Sequence, residues 1–494
     1  MADNVSFRDI PADVLVPGQY IEIDGSRADQ GTPPIPRKII IVGQKLAGGT
    51  AITTPPTEAQ VASADQVIQL GGRGSLLAQM AVEAFKAHPY GKFTAIAVDD
   101  LAGGAAATGS ILVAGPASAA GTIALYLDGT LVQVGVSAGD TAAQIATAIA
   151  ARINANPDLP LSVPVVPTVA TVALVAKHKG ECGVDIDVRH SFHLGQSLPA
   201  GVALTITPMA GGTGNPDIGP LLAAIAGDDR VVLISPWTDS SNMLKIEADF
   251  AERYGPMKQQ ESHCFAGLAG SYATLVTYGA GRNSPHVSII PREGNMVAPW
   301  RLAASVAGLC SLRGTSDPAR PYFGMVLPGI PAPAENARFD TPTRNNLLKA
   351  GISTLRYDAS GAAFIEIVAT TYKTNVFGVP SRAYFKLQSK WTADYFRYAW
   401  KRLIATRYPD FKLANDGTNF APGQPIVTPS VLRIETIALA RDLEYAGIIE
   451  NVDQFKQTLV MLRSSSNPNQ VNAVAAPNLV NQFDVFAAAI QFIN

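Results

Sequence analysis

A serine hydrolase needs a nucleophile, a base that takes its proton and a carboxylate that orients the base. Asp249, His286 and Ser316 occur in the order Asp, His, Ser, and Ser316 closes a Gly314-Thr315-Ser316 triplet. The residues around them argue against the chemistry. A nucleophile of this kind opens a helix of small apolar residues, whereas Asp317-Pro318-Ala319-Arg320-Pro321 follows here. Two prolines three apart make a poor helix start, and no His-Gly motif surrounds His286. The expectation is a chain with no catalytic residues, not an enzyme.

Other chemistries fare no better. No Gly-x-x-x-x-Gly-Lys-Ser/Thr loop is present, and no Gly-x-Gly-x-x-Gly follows the early strands. The nearest metal set is Cys182 with His190 and His193, but a His-x-x-His pair in a loop fits surface or hydrogen-bonded histidines better than ligands. The expectation is no cofactor and no metal. The three cysteines, Cys182, Cys264 and Cys310, are odd in number and far apart, so they form no disulfide framework and suit a reducing cytoplasm. A net charge of -2 argues against a general nucleic-acid binder.

Charged residues make up 16% of the 494, against roughly 25% in ordinary soluble domains. No run approaches the ~18 consecutive apolar residues of a membrane span, and residues 1–9 hold two Asp and one Arg in place of a signal's apolar core. The expectation is a soluble chain of about three domains that hides its apolar surface in large subunit interfaces.

The elements that would position any site alternate. Residues 37–43 and 92–98 read as strands with a helix over 75–88 between them. After 216, helices at 217–226, 240–254 and from 271 alternate with strands at 230–235, 263–268 and 286–290. This rhythm predicts an α/β fold with a mostly parallel sheet core and flanking helices. Residues 103–215 differ. They are bracketed by Gly103-Gly104 and Gly211-Gly212-Thr213-Gly214, and they carry a hairpin at 122–136 across Asp128-Gly129. A helix follows, capped by Asp140 or Thr141, then strands at 171–176, 184–188 and 203–207. We read an inserted outer α+β domain over 103–215, a core over 21–102 plus 216–478 with an α+β part from about 322, an N-terminal arm over 1–20 with a strand at 20–24, and a C-terminal arm strand over 479–494.

Past 322, a hairpin joins 352–357 to 363–372, and a helix is predicted over 381–407 with another over 429–446 and a strand at 455–463. The 381–407 segment holds Arg382, Lys386, Lys390, Arg397, Lys401, Arg402 and Arg407 against the single acid Asp394. Trp391, Phe396, Trp400 and Leu403 would pack inward with the cations solvated, or the cations would form a docking face for an acidic partner. Residues 480–494 contain one charge, Asp484. As a strand they are apolar on both faces, with Phe483 and Val485 on one and Phe486, Ile490 and Phe492 on the other, and such a strand expects cover on both sides. A helical stripe of Phe483, Phe486, Ile490 and Ile493 is also possible from periodicity, but the Asn and Pro residues of 467–478 favour an extended approach. The tail is then the last strand of its own core or a strand donated to a neighbour.

Several stretches in one order carry a resemblance: Leu327-Pro328-Gly329-Ile330, residues 343–352, the 358–361 turn with Ile365-Glu366, residues 370–375, Leu479-Val480-Asn481-Gln482 and residues 490–494. Together they make the chain resemble contractile phage tail sheath proteins, above all those of Mu-like phages. The family's shared domain is often labelled subtilisin-like, a label that refers to the fold region and not to protease activity. The resemblance implies a structural subunit that polymerises as stacked hexameric rings around the tail tube and contracts to drive the tube through the host envelope. Its implied partners are further copies of itself, the tail tube, baseplate and tail terminator proteins, with no nucleic acid and no membrane insertion. The implied location is the virion tail, assembled in the host cytoplasm. Val14, Val16, Tyr20, Ile21, Phe483, Val485, Phe486, Ile490, Phe492 and Ile493 would form arm strands between subunits, and Lys386, Lys390, Arg397 and Lys401 would face the tube. The alternatives are the sheath of a bacteriocin or type VI-like machine, and a subtilisin-like serine hydrolase.

Overall fold

A computed structural model describes residues 16–21, 34–418, 420–421 and 423–492. Val14, Ile493 and residues 22–24 of the expected 20–24 strand lie outside the described residues. The chain divides into two compact units, Ile35–Arg397 with Asn481–Asn494, and Met1–Pro34 with Tyr398–Val480.

The first unit is built on a six-stranded sheet. Its order is Val287–Pro291, Glu261–Leu268, Arg230–Ser235, Lys38–Gln44, Phe93–Val98 and Ala59–Val61. The first five run parallel, and Ala59–Val61 adds an antiparallel edge. The β-branched run Ile39-Ile40-Ile41-Val42 is buried throughout, as a central strand covered on both faces requires. Helix Leu76–Ala87 is capped by Ser75, and Ser240–Tyr254 by Asp239. Lys38–Gln44 is where the winding reverses. The chain first steps to Phe93–Val98 on one side, then to Arg230–Ser235 on the other.

The reversal is interrupted by residues 106–210, whose strands pair only with one another among the described residues. They form a four-stranded sheet (Ala203–Ala210, Ala106–Ala114, Thr171–Lys179, Leu161–Ser162) and a three-stranded one (Thr130–Val136, Gly121–Leu127, Val188–His190). The hairpin turn carries Asp128 at φ 49° and Gly129 at φ 76°, as a type I′ turn needs. Helix Ala142–Asn154 opens on a Thr141–Gln144 capping box. The ends of the segment touch through an Ala105–Thr213 bridge. Gly104 is required there, because a Cβ would sit 2.8 Å from the Thr213 carbonyl oxygen.

Four expectations need correction. Residues 181–185 form a 3-10 turn, so the strand expected at 184–188 shrinks to Val188–His190. The helix expected from 381 begins at Leu387, because residues 381–386 pair back, with Ser381 N–H donating to Lys373 O (2.8 Å) and Thr370 N–H to Phe385 O (2.8 Å). The strand expected at 455–463 is a helix, Val452–Thr458, capped by Asn451, and only Val460–Arg463 is strand. The fourth is an omission, helix Pro299–Ser316, which the Gly314-Thr315-Ser316 triplet closes.

The second unit holds the end of helix Leu387–Arg407, helix Pro429–Tyr445 and short two-stranded sheets, among them Ile449–Glu450 with Asn478–Leu479. No helix among the described residues is long and apolar enough to cross a membrane.

Candidate functional site: closed sheet edges and an exposed apolar tail

In open parallel sheets, ligands bind in the crevice at the carboxyl ends of the strands where the winding reverses. Here that crevice is filled by the inserted segment. At the end of Lys38–Gln44, the Gln44 amide donates to Lys179 O (2.8 Å) and to Asp100 (2.7 Å). Asp100 follows Phe93–Val98 and meets His178 Nδ1 at 2.8 Å. Beyond Arg230–Ser235, Cys182 Sγ contacts Pro236 O at 3.4 Å. Beyond Val287–Pro291, Arg292 donates to Asp185 O (2.7 Å) and pairs with Asp187 (3.1 Å).

One of these joints is ionic and buried. Arg301, on helix Pro299–Ser316, pairs with Glu83 of Leu76–Ala87 and with Asp128 of the inserted hairpin (3.0 Å). Asp128 also accepts from Ala298 N–H (2.6 Å). Burial raises the Asp128 pKa although Arg301 opposes it. Burial likewise works against the Arg301 charge, yet Asp128 and Glu83 carry its pKa above the ordinary value.

At the opposite edge, where the strands begin, the first half of helix Leu387–Arg407 covers the start of Glu261–Leu268, while an open cavity lined by Lys38, Val61, Phe93 and Arg230 lies beside it. Lys390 and Asp394, each 1% exposed, form an i,i+4 pair at 2.7 Å. Lys390 Nζ lies 5.1 Å from the Tyr254 ring centroid and Arg397 stacks on the same ring at 4.1 Å. Arg397 also pairs with Glu261 (2.9 Å) and donates to Tyr254 O (2.9 Å). Arg37 packs over Trp391 at 4.1 Å and donates to Gly314 O at 2.7 Å. Two histidines complete the layer. Burial and then Lys390 hold His263 well below its ordinary pKa, and burial pushes His286 down to about 3.

This geometry accounts for the sequence candidates. Ser316 is exposed at a helix end, whereas His286 is buried against Tyr254 (4.9 Å between centroids) and Asp249 pairs with Arg253 (3.8 Å). No proton relay joins an exposed serine to a buried, neutral imidazole held elsewhere. The Gly-Thr-Ser triplet has a packing role: a Cβ at Gly314 would lie 2.5 Å from the Trp391 ring. Cys182, His190 and His193 also go separate ways. Cys182 is buried on Pro236, His190 meets Ser191 at 3.3 Å, and His193 stacks edge-on to Tyr126 at 5.6 Å. No group of three or more His, Cys, Asp or Glu among the described residues is arranged to hold a metal.

The basic-face reading changes most. Lys390 is a buried ion-pair partner and offers no charge at a surface, because its ammonium is committed to Asp394 and Tyr254. Arg397 turns onto Glu261 at the same edge. Lys386 precedes the helix and pairs with Asp484 of the tail, while burial lowers its pKa. Of the four, Lys401 is exposed. The sequence carried one signal for this, the i,i+4 spacing of Lys390 and Asp394.

The apolar candidates are at the surface. Residues 481–492 carry no helix or strand. Phe483, Val485, Phe486, Ile490 and Phe492 are 79%, 79%, 80%, 90% and 83% exposed. The tail is rooted by Asp484 on Lys386 and by the Gln482 amide on Ala319 O (3.2 Å). Near the other terminus, Val16, Tyr20 and Ile21 are exposed, with Tyr20 Oη donating to Val16 O at 3.1 Å.

Known proteins agree with a non-catalytic reading. Residues 211–383 match the phage tail sheath protein central domain, and 381–493 the phage tail sheath C-terminal domain. The chain is 38% identical over 493 residues to the Mu-like prophage FluMu tail sheath protein of Haemophilus influenzae, covering 99% of this chain and 100% of that one. Sheath tail proteins of Desulfitobacterium hafniense and Listeria innocua have solved structures that resemble it. The first has a TM-score of 0.47 at 15% identity, covering 94% of this chain and 100% of its own. The second has 0.47 at 13%, covering 92% and 93%. The chain therefore belongs to the phage tail sheath family of Mu-like phages, structural proteins of the contractile virion tail and not enzymes.

Proposed function

We propose that this chain polymerises as stacked hexameric rings around a tail tube and contracts to drive the tube through the host envelope. Its partners are further copies of itself, the tube, the baseplate and the tail terminator, and it assembles in the host cytoplasm. The observation that carries this reading is the tail. Five large apolar side chains between 483 and 492 stand in water on a segment that forms neither helix nor strand in the single chain. Burying such a side chain contributes about 1.5–3 kcal/mol, so a neighbour that covers the tail gains a substantial contact. Strand addition supplies main-chain hydrogen bonds as well, and it keeps subunits linked while their bodies rotate. Val16, Tyr20 and Ile21 fit the same use at the other terminus, and Lys401 fits a charge facing the tube.

Deleting residues 480–494 tests the reading. The truncated monomer keeps its melting temperature and loses polymerisation. A truncated chain that still forms full-length sheaths contradicts the donated arm. A truncated chain that melts well below the full one assigns the tail to its own core.

A further inference from the structure

A second apolar projection rises from a hairpin whose base, at Lys386, also anchors the tail through Asp484. Residues 368–387 fold back as an irregular hairpin, with Leu387 N–H donating to Val368 O (3.1 Å) and Ser381 N–H to Lys373 O (2.8 Å). Its tip, 374–380, is closely tied. Asn375 N–H donates to Val379 O (2.9 Å), and the Asn375 side-chain oxygen accepts from Phe377 N–H and Val379 N–H at 3.0 Å each. Gly378 takes φ 74°, which closes the turn. From the body, Asn283 grips the stem: its amide donates to Thr374 O (2.9 Å), and its oxygen accepts from Lys373 N–H (2.7 Å). What this scaffold presents is apolar. Val376, Phe377 and Val379 are 93%, 85% and 54% exposed. No charged residue occurs from 374 to 381.

Scattered exposed apolar residues need no explanation. Two nearly bare side chains side by side on a preorganised turn are different, because a rigid element has little ordering entropy left to lose on docking. The absence of charge selects an apolar hollow over an acidic surface or nucleic acid. The tail supplies the occupant. It is anchored on Lys386, at the base of this same hairpin, so a subunit that receives the tail is brought to the side of the body that carries the tip. We infer that the 374–380 tip is a peg that inserts into an apolar hollow on a second copy of this chain, alongside the tail. The inference rests on the reading of the tail as an arm donated between subunits.

Two measurements test it. Phe377→Asp is expected to keep the monomer's melting temperature and to raise the concentration needed for sheath-only polymerisation at least tenfold, while Phe377→Leu stays within about twofold of the native chain. Polymerisation of Phe377→Asp at the native concentration overturns the peg, and so does a defect confined to assembly on tubes. A photo-crosslinking amino acid at position 377 in assembled tails decides the case even where the aspartate variant fails to fold. An adduct between two copies of this chain is expected, and an adduct with the tube protein, or none, contradicts the peg. Failure of the arm reading looks different: sheaths formed without residues 480–494 contradict the arm, while the crosslink still judges the peg.

Discussion

The two edges of the parallel sheet are covered by different means, the first by an inserted segment and the second, in part, by a helix. Where the strands end, an inserted segment is locked on by carboxylates and guanidinium groups: Arg301 between Glu83 and Asp128, Arg292 on Asp187. Where they begin, one helix lays Lys390, Asp394 and Arg397 against Tyr254 and Glu261 with aromatic rings between. The first edge is the one at which α/β enzymes hold their ligands, and here it is filled by protein. The lesson is that the same winding carries a catalytic crevice or a rigid building block according to what covers that edge. The proposed function therefore falls on two exposed projections, the 481–492 tail and the 374–380 tip.

The largest effect should come from the first edge. Arg301→Met takes the cation from buried Asp128 and leaves Glu83 with Lys86 alone, and breaking a buried pair costs about 3–5 kcal/mol. Chemical denaturation should register at least that loss, and a loss below about 1 kcal/mol would remove the ionic joint from the account. The second edge is expected to respond differently to paired change. Lys390→Met alone leaves Asp394 charged and buried, again at about 3–5 kcal/mol, whereas Lys390→Met with Asp394→Leu should recover most of it. If the double variant is as unstable as the single, Lys390 does more than neutralise Asp394.

Acid sharpens the contrast further. The folded state keeps His263 and His286 neutral, and the unfolded chain binds protons on them below about 6.5. Stability is therefore lost as pH falls from about 6.5 towards 3, by up to about 1.4 kcal/mol per pH unit for each histidine. His286→Asn should flatten that slope by one histidine's share. Carboxyls raised by burial, such as Asp128 and Glu261, pull the opposite way in both proteins and cancel in the difference. An unchanged slope would show that His286 already titrates normally. Smallest of all, Lys401→Glu on the exposed stretch of the same helix should move stability by less than about 0.5 kcal/mol.

Much of the fold was legible in the sequence because period and caps report local structure. Arg230–Ser235 and Ser240–Tyr254 match their expected bounds, and Asp128-Gly129 turns as a hairpin. Helix Pro299–Ser316 was missed because it is buried nearly all round and shows no polar face from which to read a period. The long helix was started too early because nothing local reveals that 381–386 pairs with 368–374. The charge count on 381–407 misled for a related reason. A run of cations looks like a solvated face until the partners Glu261, Tyr254 and Asp484, distant in sequence, are brought to it. The tail's apolar composition was legible, but the strand expected over 479–494 is not formed beyond Leu479 among the described residues of the single chain, because no sheet edge covers it there.

Amide hydrogen exchange on the single chain and on the assembled sheath tests the central claim most directly. The strands Lys38–Gln44 and Glu261–Leu268 should be protected in both states, and residues 483–492 should exchange at once in the single chain and become protected on assembly. Protection of 483–492 already in the single chain, or none in the sheath, would contradict the account.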